Sequence, residues 1–350
     1  MKFPLMLLVA VALSGCRYEV LDPQGWVAIE ERNLLLISTA IMLIVIVPVL
    51  VLAVYFPWKY RADRDDTSDY DPNFSHSTKL ELAVWGVPIG IVIALGAYTW
   101  IYTHRLDPYR PLDVAGKPVE VEAVSLDWKW LFIYPQYGVA SVNELAIPVG
   151  RPVAMRLTSS SMMNTFSVPA LAGMVYSMAA METKLHFIAD RPGTYPGRSA
   201  HFSGPGFADM TFYTRAMSDG DFDAWVAKVK AGGGDLSRKA YLHLEKPSMA
   251  VPVRTYGTVA AGLFDRIRDL CVEDGKVCVS QMMRQDMMGG GGLKGIKDKK
   301  KYEYDNERAI DGFGRPLKSD VVSGIVPREP VKVSALETAD RSRKEPTHGN

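Results

Sequence analysis

Two stretches without a single charged side chain, residues 34–56 and 82–102, constrain this chain more than anything else in it. They are 23 and 21 residues long, and a helix needs about 20 apolar residues to cross about 30 Å of hydrocarbon. Each holds one proline, Pro48 and Pro88, which a membrane helix tolerates when neighbours repack around the kink. Aromatic side chains crowd the ends: Tyr55, Phe56 and Trp58 on the first, Trp100 and Tyr102 on the second. Such rings favour the boundary between hydrocarbon and water. A buried core helix could be equally apolar, but two runs with aromatic ends read as a membrane-spanning helical hairpin.

Residues 1–16, MKFPLMLLVAVALSGC, have one lysine, an apolar run and small residues, the pattern of a secretory signal. The closing Leu13-Ser14-Gly15-Cys16 resembles a lipoprotein processing box, in which the cysteine becomes the first mature residue and carries lipid. The alternative is a signal that ends in a stray cysteine. Basic residues flank the hairpin almost evenly, with Lys59, Arg61, Arg64 and Lys79 in the connecting loop beside several aspartates. Charge bias therefore orients the hairpin weakly. Export decides it: residues 1–15 are the signal, 16–33 a lipidated periplasmic segment, 57–80 a cytoplasmic loop, and the chain returns to the periplasm after 102.

From 103 to 217, short β-branched and aromatic runs alternate with Pro and Gly turns, at 119–124, 127–134, 152–158, 184–189 and 210–215. Regular short strands of this kind predict an all-β sandwich or barrel. Within 218–288, Phe222, Trp225, Val226 and Val229 have helical spacing, so this region is expected to form short helices. Residues 289–350 hold a glycine run, the basic Lys299–Lys301 and few apolar positions, and are expected to be extended or disordered. Cys271 and Cys278 flank VEDGKV, whose centre can turn, and an oxidising compartment favours a disulfide there. A metal site would need further ligands nearby, and none are evident. A net charge of +1 offers nothing to a nucleic acid.

The segments DWKWLFIYP at 127–135, MNTFSVP at 163–169 and SGPGF at 203–207, with WKYR at 58–61, resemble subunit II of haem–copper oxidases. The match is to the quinol-oxidising, cytochrome bo-type branch and covers roughly residues 13–285. It implies a cupredoxin-like sandwich on a two-helix hairpin in the bacterial inner membrane. It also implies a proton-pumping complex that oxidises ubiquinol and reduces oxygen to water. Haems, copper and the quinol site would lie in subunit I, the principal partner, with subunits III and IV also present. This chain would bind no cofactor itself.

The branch that oxidises cytochrome c holds two copper ions on a Cys-x-Glu-x-Cys-x-x-x-His-x-x-Met loop plus an upstream histidine. Alignment on Met210 puts Ser199 and Ser203 at the cysteine positions, His201 at the glutamate and Phe207 at the histidine. The upstream histidine position is Asn164. Alcohols and phenyl rings do not replace thiolates and imidazoles as copper ligands. His201 then reads as an ordinary loop histidine and Met210 as core, while Trp128 and Trp130 read as packing or subunit contacts. The resemblance further implies an acidic residue near a proton path into subunit I, matched by Glu81. The Thr78…Glu81 spacing is also a capping-box pattern, and the two roles are compatible. Two other readings stay open: cytochrome c oxidase subunit II with a divergent copper site, and a free-standing envelope lipoprotein.

Overall fold

The structure is a computed structural model that describes residues 19–61, 75–114 and 116–289. Two long helices come first, α1 (Trp26–Lys59) and α2 (Thr78–Arg105). Both run beyond their uncharged cores, because nothing in the flanks stops helical hydrogen bonding. α1 contains Pro48 and Pro57, and α2 contains Pro88. Their apolar side chains stand bare in the single chain; Val54 and Leu82 are 74% and 76% exposed. A surface of that kind persists only under lipid or partner helices. Residues 1–18, including the expected signal and Cys16, lie outside the described residues, as does the tail beyond 289.

Two sheets follow. The larger contains β1 (Val119–Leu126), β2 (Lys129–Tyr134), β3 (Val139–Val142), β5 (Val153–Ser159), β8 (Thr183–Phe187), β11 (Gly234–Leu236) and β12 (Arg254–Val259). Its order is β11-β12-β3-β2-β1-β5-β8. The smaller contains β4 (Glu144–Pro148), β6 (Asn164–Val168), β7 (Ala172–Ser177), β9 (Gly193–Ser199) and β10 (Thr211–Met217), in the order β4-β10-β9-β6-β7. β1 lies parallel to β5 and β10 parallel to β4, and the two sheets pack face to face over one shared apolar core. This is the cupredoxin-like sandwich.

β2 explains why the larger sheet is buried on both faces. Side chains alternate along a strand. Trp130, Phe132 and Tyr134 point into the sandwich, where Trp130 and Phe132 meet Phe166 and Phe212 and Tyr134 meets Phe222 and Trp225. Leu131 and Ile133 point outward and join a second core with Leu236, Tyr241, Leu263, Phe264 and Ile267. The outer core is supplied by the C-terminal region, whose helices are α3 (Asp219–Gly232), α4 (Arg238–Leu244), α5 (Leu263–Arg268) and α6 (Val279–Met287). Ser218 caps α3 and Ser237 caps α4, each accepting from a backbone N–H three residues on. The expected short helices are present, but the region is not wholly helical. β12 pairs antiparallel with β3 and β11 pairs with β12, so the sheet extends past residue 217. The edge that β3 would otherwise leave unpaired, and the strand-favouring Thr255, Tyr256, Thr258 and Val259, account for the added strands.

The hairpin and the sandwich are joined directly. Gln24 donates its N–H to the Ala170 carbonyl at 2.7 Å, and Asp190 donates to the Gln24 carbonyl at 2.9 Å. Gly25 then sits where a Cβ would come within 2.3 Å of the Ile188 carbonyl oxygen. Only glycine fits that approach.

Candidate functional site

One end of the sandwich gathers most of the residues at the aligned copper positions. Asn164 opens β6 and Ser199 closes β9, and the pairing of these strands, with Ser199 opposite Phe166, brings the two side chains within hydrogen-bond reach. The Ser199 hydroxyl donates to Asn164 Oδ1 at 3.0 Å, while Asn164 Nδ2 donates to the Met162 carbonyl at 3.2 Å. Both residues are buried. Ser199 also donates its backbone N–H to the Met210 carbonyl. Met210 is core, 1% exposed. Ser203 and Phe207 lie in the connection from β9 to β10. The Ser203 carbonyl accepts from Trp128 Nε1 at 3.1 Å, and its buried hydroxyl has no partner. The Trp128 indole packs on Gly204 and Gly206, filling the space that side chains there would need. Phe207 stacks edge-on to Phe202. His201 is set apart, its ring turned to Tyr176 on β7.

As donors, a carboxamide, two hydroxyls, a phenyl ring and a thioether do not fit a dinuclear thiolate-bridged copper centre. Among the described residues, no group of three or more His, Cys, Asp or Glu is arranged to hold a metal.

Glu81 lies in the first turn of α2, 54% exposed, with Oε1 2.7 Å from His76 Nδ1. The Thr78…Glu81 capping box does not form. The helix starts one residue earlier than that pattern requires: Ser77 is the N-cap, Thr78 is already helical, and the Glu81 N–H bonds the Ser77 carbonyl. The glutamate is left free to meet the histidine that precedes the helix.

Two charged features under the C-terminal region were not singled out in the sequence. Lys129 is fully buried, and its Nζ donates to the carbonyls of Asp127 and Lys246 and to Ser248 Oγ. Burial pushes its pKa down to about 8. A lone cation between Trp128 and Trp130 was the available signal. On the same outer face, Arg156 meets Glu122, Glu182 and Asp265 at 2.9, 2.8 and 3.1 Å and lies over the Phe264 ring. Burial pushes Glu122 up to about 7 against the pull of Arg156. Glu182 is held low, chiefly by its hydrogen bond from Arg156. Further along, Cys271 and Cys278 are joined as a disulfide, Cα to Cα 4.9 Å.

Residues 230–275 match the family model described as COX Aromatic Rich Motif. That span supplies Tyr241 and Phe264 to the outer core. The chain is 50% identical over 257 residues to cytochrome bo(3) ubiquinol oxidase subunit 2 of Pseudomonas putida, covering 73% of this chain and 82% of that one. It is 45% identical over 260 residues to ubiquinol oxidase subunit 2 of Acetobacter aceti, covering 74% and 84%. Among solved structures, the periplasmic domain of subunit II of cytochrome oxidase from Bradyrhizobium japonicum aligns at 22% identity and a TM-score of 0.31. That alignment covers 33% of this chain and 95% of the other.

Proposed function

Since the chain belongs to the subunit 2 family of ubiquinol oxidases, we propose that it is the non-redox second subunit of a proton-pumping quinol oxidase in the bacterial inner membrane. In this reading the complex oxidises ubiquinol and reduces oxygen to water. The haems, the copper and the quinol site belong to subunit I, and subunits III and IV complete the assembly. The hairpin anchors the chain, lipid on Cys16 adds a second hold, and the sandwich covers subunit I from the periplasm.

The observation that carries the reading is the Ser199–Asn164 hydrogen bond, two neutral side chains satisfying each other where a thiolate and an imidazole would be needed. Electrons from a soluble cytochrome then have no copper entry point in this chain, and a membrane-soluble donor reaching subunit I is the remaining route. Purification of the complex through a tag on this chain tests the proposal. The expected preparation shows haem absorbance, ubiquinol oxidase turnover and no thiolate-bound copper pair. A copper pair with thiolate absorption would favour the cytochrome c oxidase reading, and a haem-free preparation would favour the free-standing lipoprotein.

We further assign Glu81 to proton entry at the cytoplasmic side, supported by its exposure at the start of α2 and its contact with His76. Glu81→Gln is expected to slow proton-coupled oxygen reduction several-fold while haem content stays constant, read by oxygen consumption in proteoliposomes. Unchanged turnover and pumping would remove the assignment.

A further inference from the structure

Where the hairpin meets the sandwich, a cavity of about 540 Å³ opens between the start of α1, the end of α2, the linker at 106–114 and the neighbouring edge strands of the two sheets, β7 and β8. Its depth follows from helix geometry. Glu31 lies three residues before the first apolar run and Arg105 three residues after the second. At 1.5 Å per residue, both stand about 4–5 Å outside the hydrocarbon. The polar headgroup layer is roughly 5–8 Å thick on each side, so the cavity opens within it.

The walls are amphipathic. Trp26, Met174 and neighbouring aliphatic side chains form one part, and Glu31, Arg105 and Arg110 the other. Arg105 gives one Nη to Glu30 at 3.3 Å and lies over the Trp26 and Tyr102 rings. A guanidinium has five N–H donors, so one contact leaves most of them available. Gly173 makes room for the Glu31 carboxylate: a Cβ there would come within 2.4 Å of Glu31 Oε1. His186 Nδ1, on β8, lies 2.9 Å from the Pro108 carbonyl and ties the linker to the larger sheet. The charges lining the space are Glu31, Asp107 and Asp113 against Arg105 and Arg110. An anionic ligand would meet a net negative wall, whereas a ligand carrying both an ammonium and a phosphate finds an opposite charge for each.

We propose that this cavity holds the headgroup of a zwitterionic amino-phospholipid from the adjoining leaflet, its phosphate on Arg105 and its ammonium on Glu31. The acyl chains continue down the bare apolar flank of the hairpin. The lipid thereby seals the seam between membrane helices and sandwich.

A photoreactive benzophenone amino acid in place of the exposed Met174, in the intact complex, tests this. The complex is reconstituted into vesicles of equal parts phosphatidylethanolamine and phosphatidylglycerol, illuminated, and analysed by mass spectrometry. The expected result is a phosphatidylethanolamine adduct at least threefold above the phosphatidylglycerol adduct, falling at least threefold with Arg105→Gln. Should that variant fail to assemble, Glu31→Gln is expected to lower the same adduct by a similar factor. Parity or an excess of phosphatidylglycerol, an adduct to another protein chain, or lipid labelling unchanged by the substitution would each overturn the proposal. Haem content measured on the same sample reports on the oxidase reading separately.

Discussion

Glu122 and Lys129 face the C-terminal region from neighbouring strands, and burial acts on them in opposite senses. For Glu122 the folded pKa of about 7 lies above the ordinary glutamate value of 4.5. The folded chain therefore binds more protons than the unfolded chain between those values, and stability falls as pH rises across that window. The difference amounts to at most about 3–4 kcal/mol. Thermal melts of the purified complex are expected to shift downward from pH 5 to pH 7.5, and Glu122→Gln is expected to flatten that dependence. An equally steep dependence in the variant would show that other groups set it. Lys129, with its pKa near 8, remains charged at neutrality and holds three acceptors. Lys129→Met leaves them unsatisfied, at a cost of about 2 kcal/mol. Amide exchange is expected to accelerate around 246–251 and to stay unchanged in 219–232; uniform acceleration would point to global unfolding instead.

At the scale of elements, the junction at Gly25 is the most exacting. Gly25→Ala pushes a methyl into the Ile188 carbonyl and is expected to destabilise the complex by about 2–3 kcal/mol, seen as a lower melting temperature with the hairpin still inserted. An unshifted melt would mean that the first turn of α1 can move aside. Elements differ in how plainly the chain announces them. The hairpin is legible because water-averse runs of that length have few other uses. β1 and β5 are legible because Val119, Val121, Val153 and Met155 alternate with exposed or half-buried positions. β9 is not: GTYPGRS holds two glycines and a proline, and its extended form depends on β6 and β10 at its sides. The copper-position residues illustrate the same limit. Asn164 and Ser199 are 35 residues apart in the chain and become neighbours only through strand pairing, so spacing alone could not join them. Family resemblance gives the alignment, and only the folded chain brings the two side chains into hydrogen-bond contact. Glu81 was legible as a helix-start acid, but its partner was not, because the cap fell one residue earlier than the sequence pattern suggested.

For the whole molecule, the export reading puts both ends of the hairpin outside and residues 57–80 inside. A single cysteine at Lys79 is expected to resist a membrane-impermeant maleimide in intact spheroplasts and to react after lysis, while one at Lys184 reacts in both. Labelling of Lys79→Cys before lysis would invert the topology and remove Glu81 from the cytoplasmic face. The backbone bonds that tie Gln24 to Ala170 and Asp190 have a consequence for assembly. They leave the sandwich little freedom to swivel about the membrane normal, so its heading is set by the helices. Docking onto a partner then forfeits the rotational entropy of one body rather than two, because the second was immobilised when the chain folded.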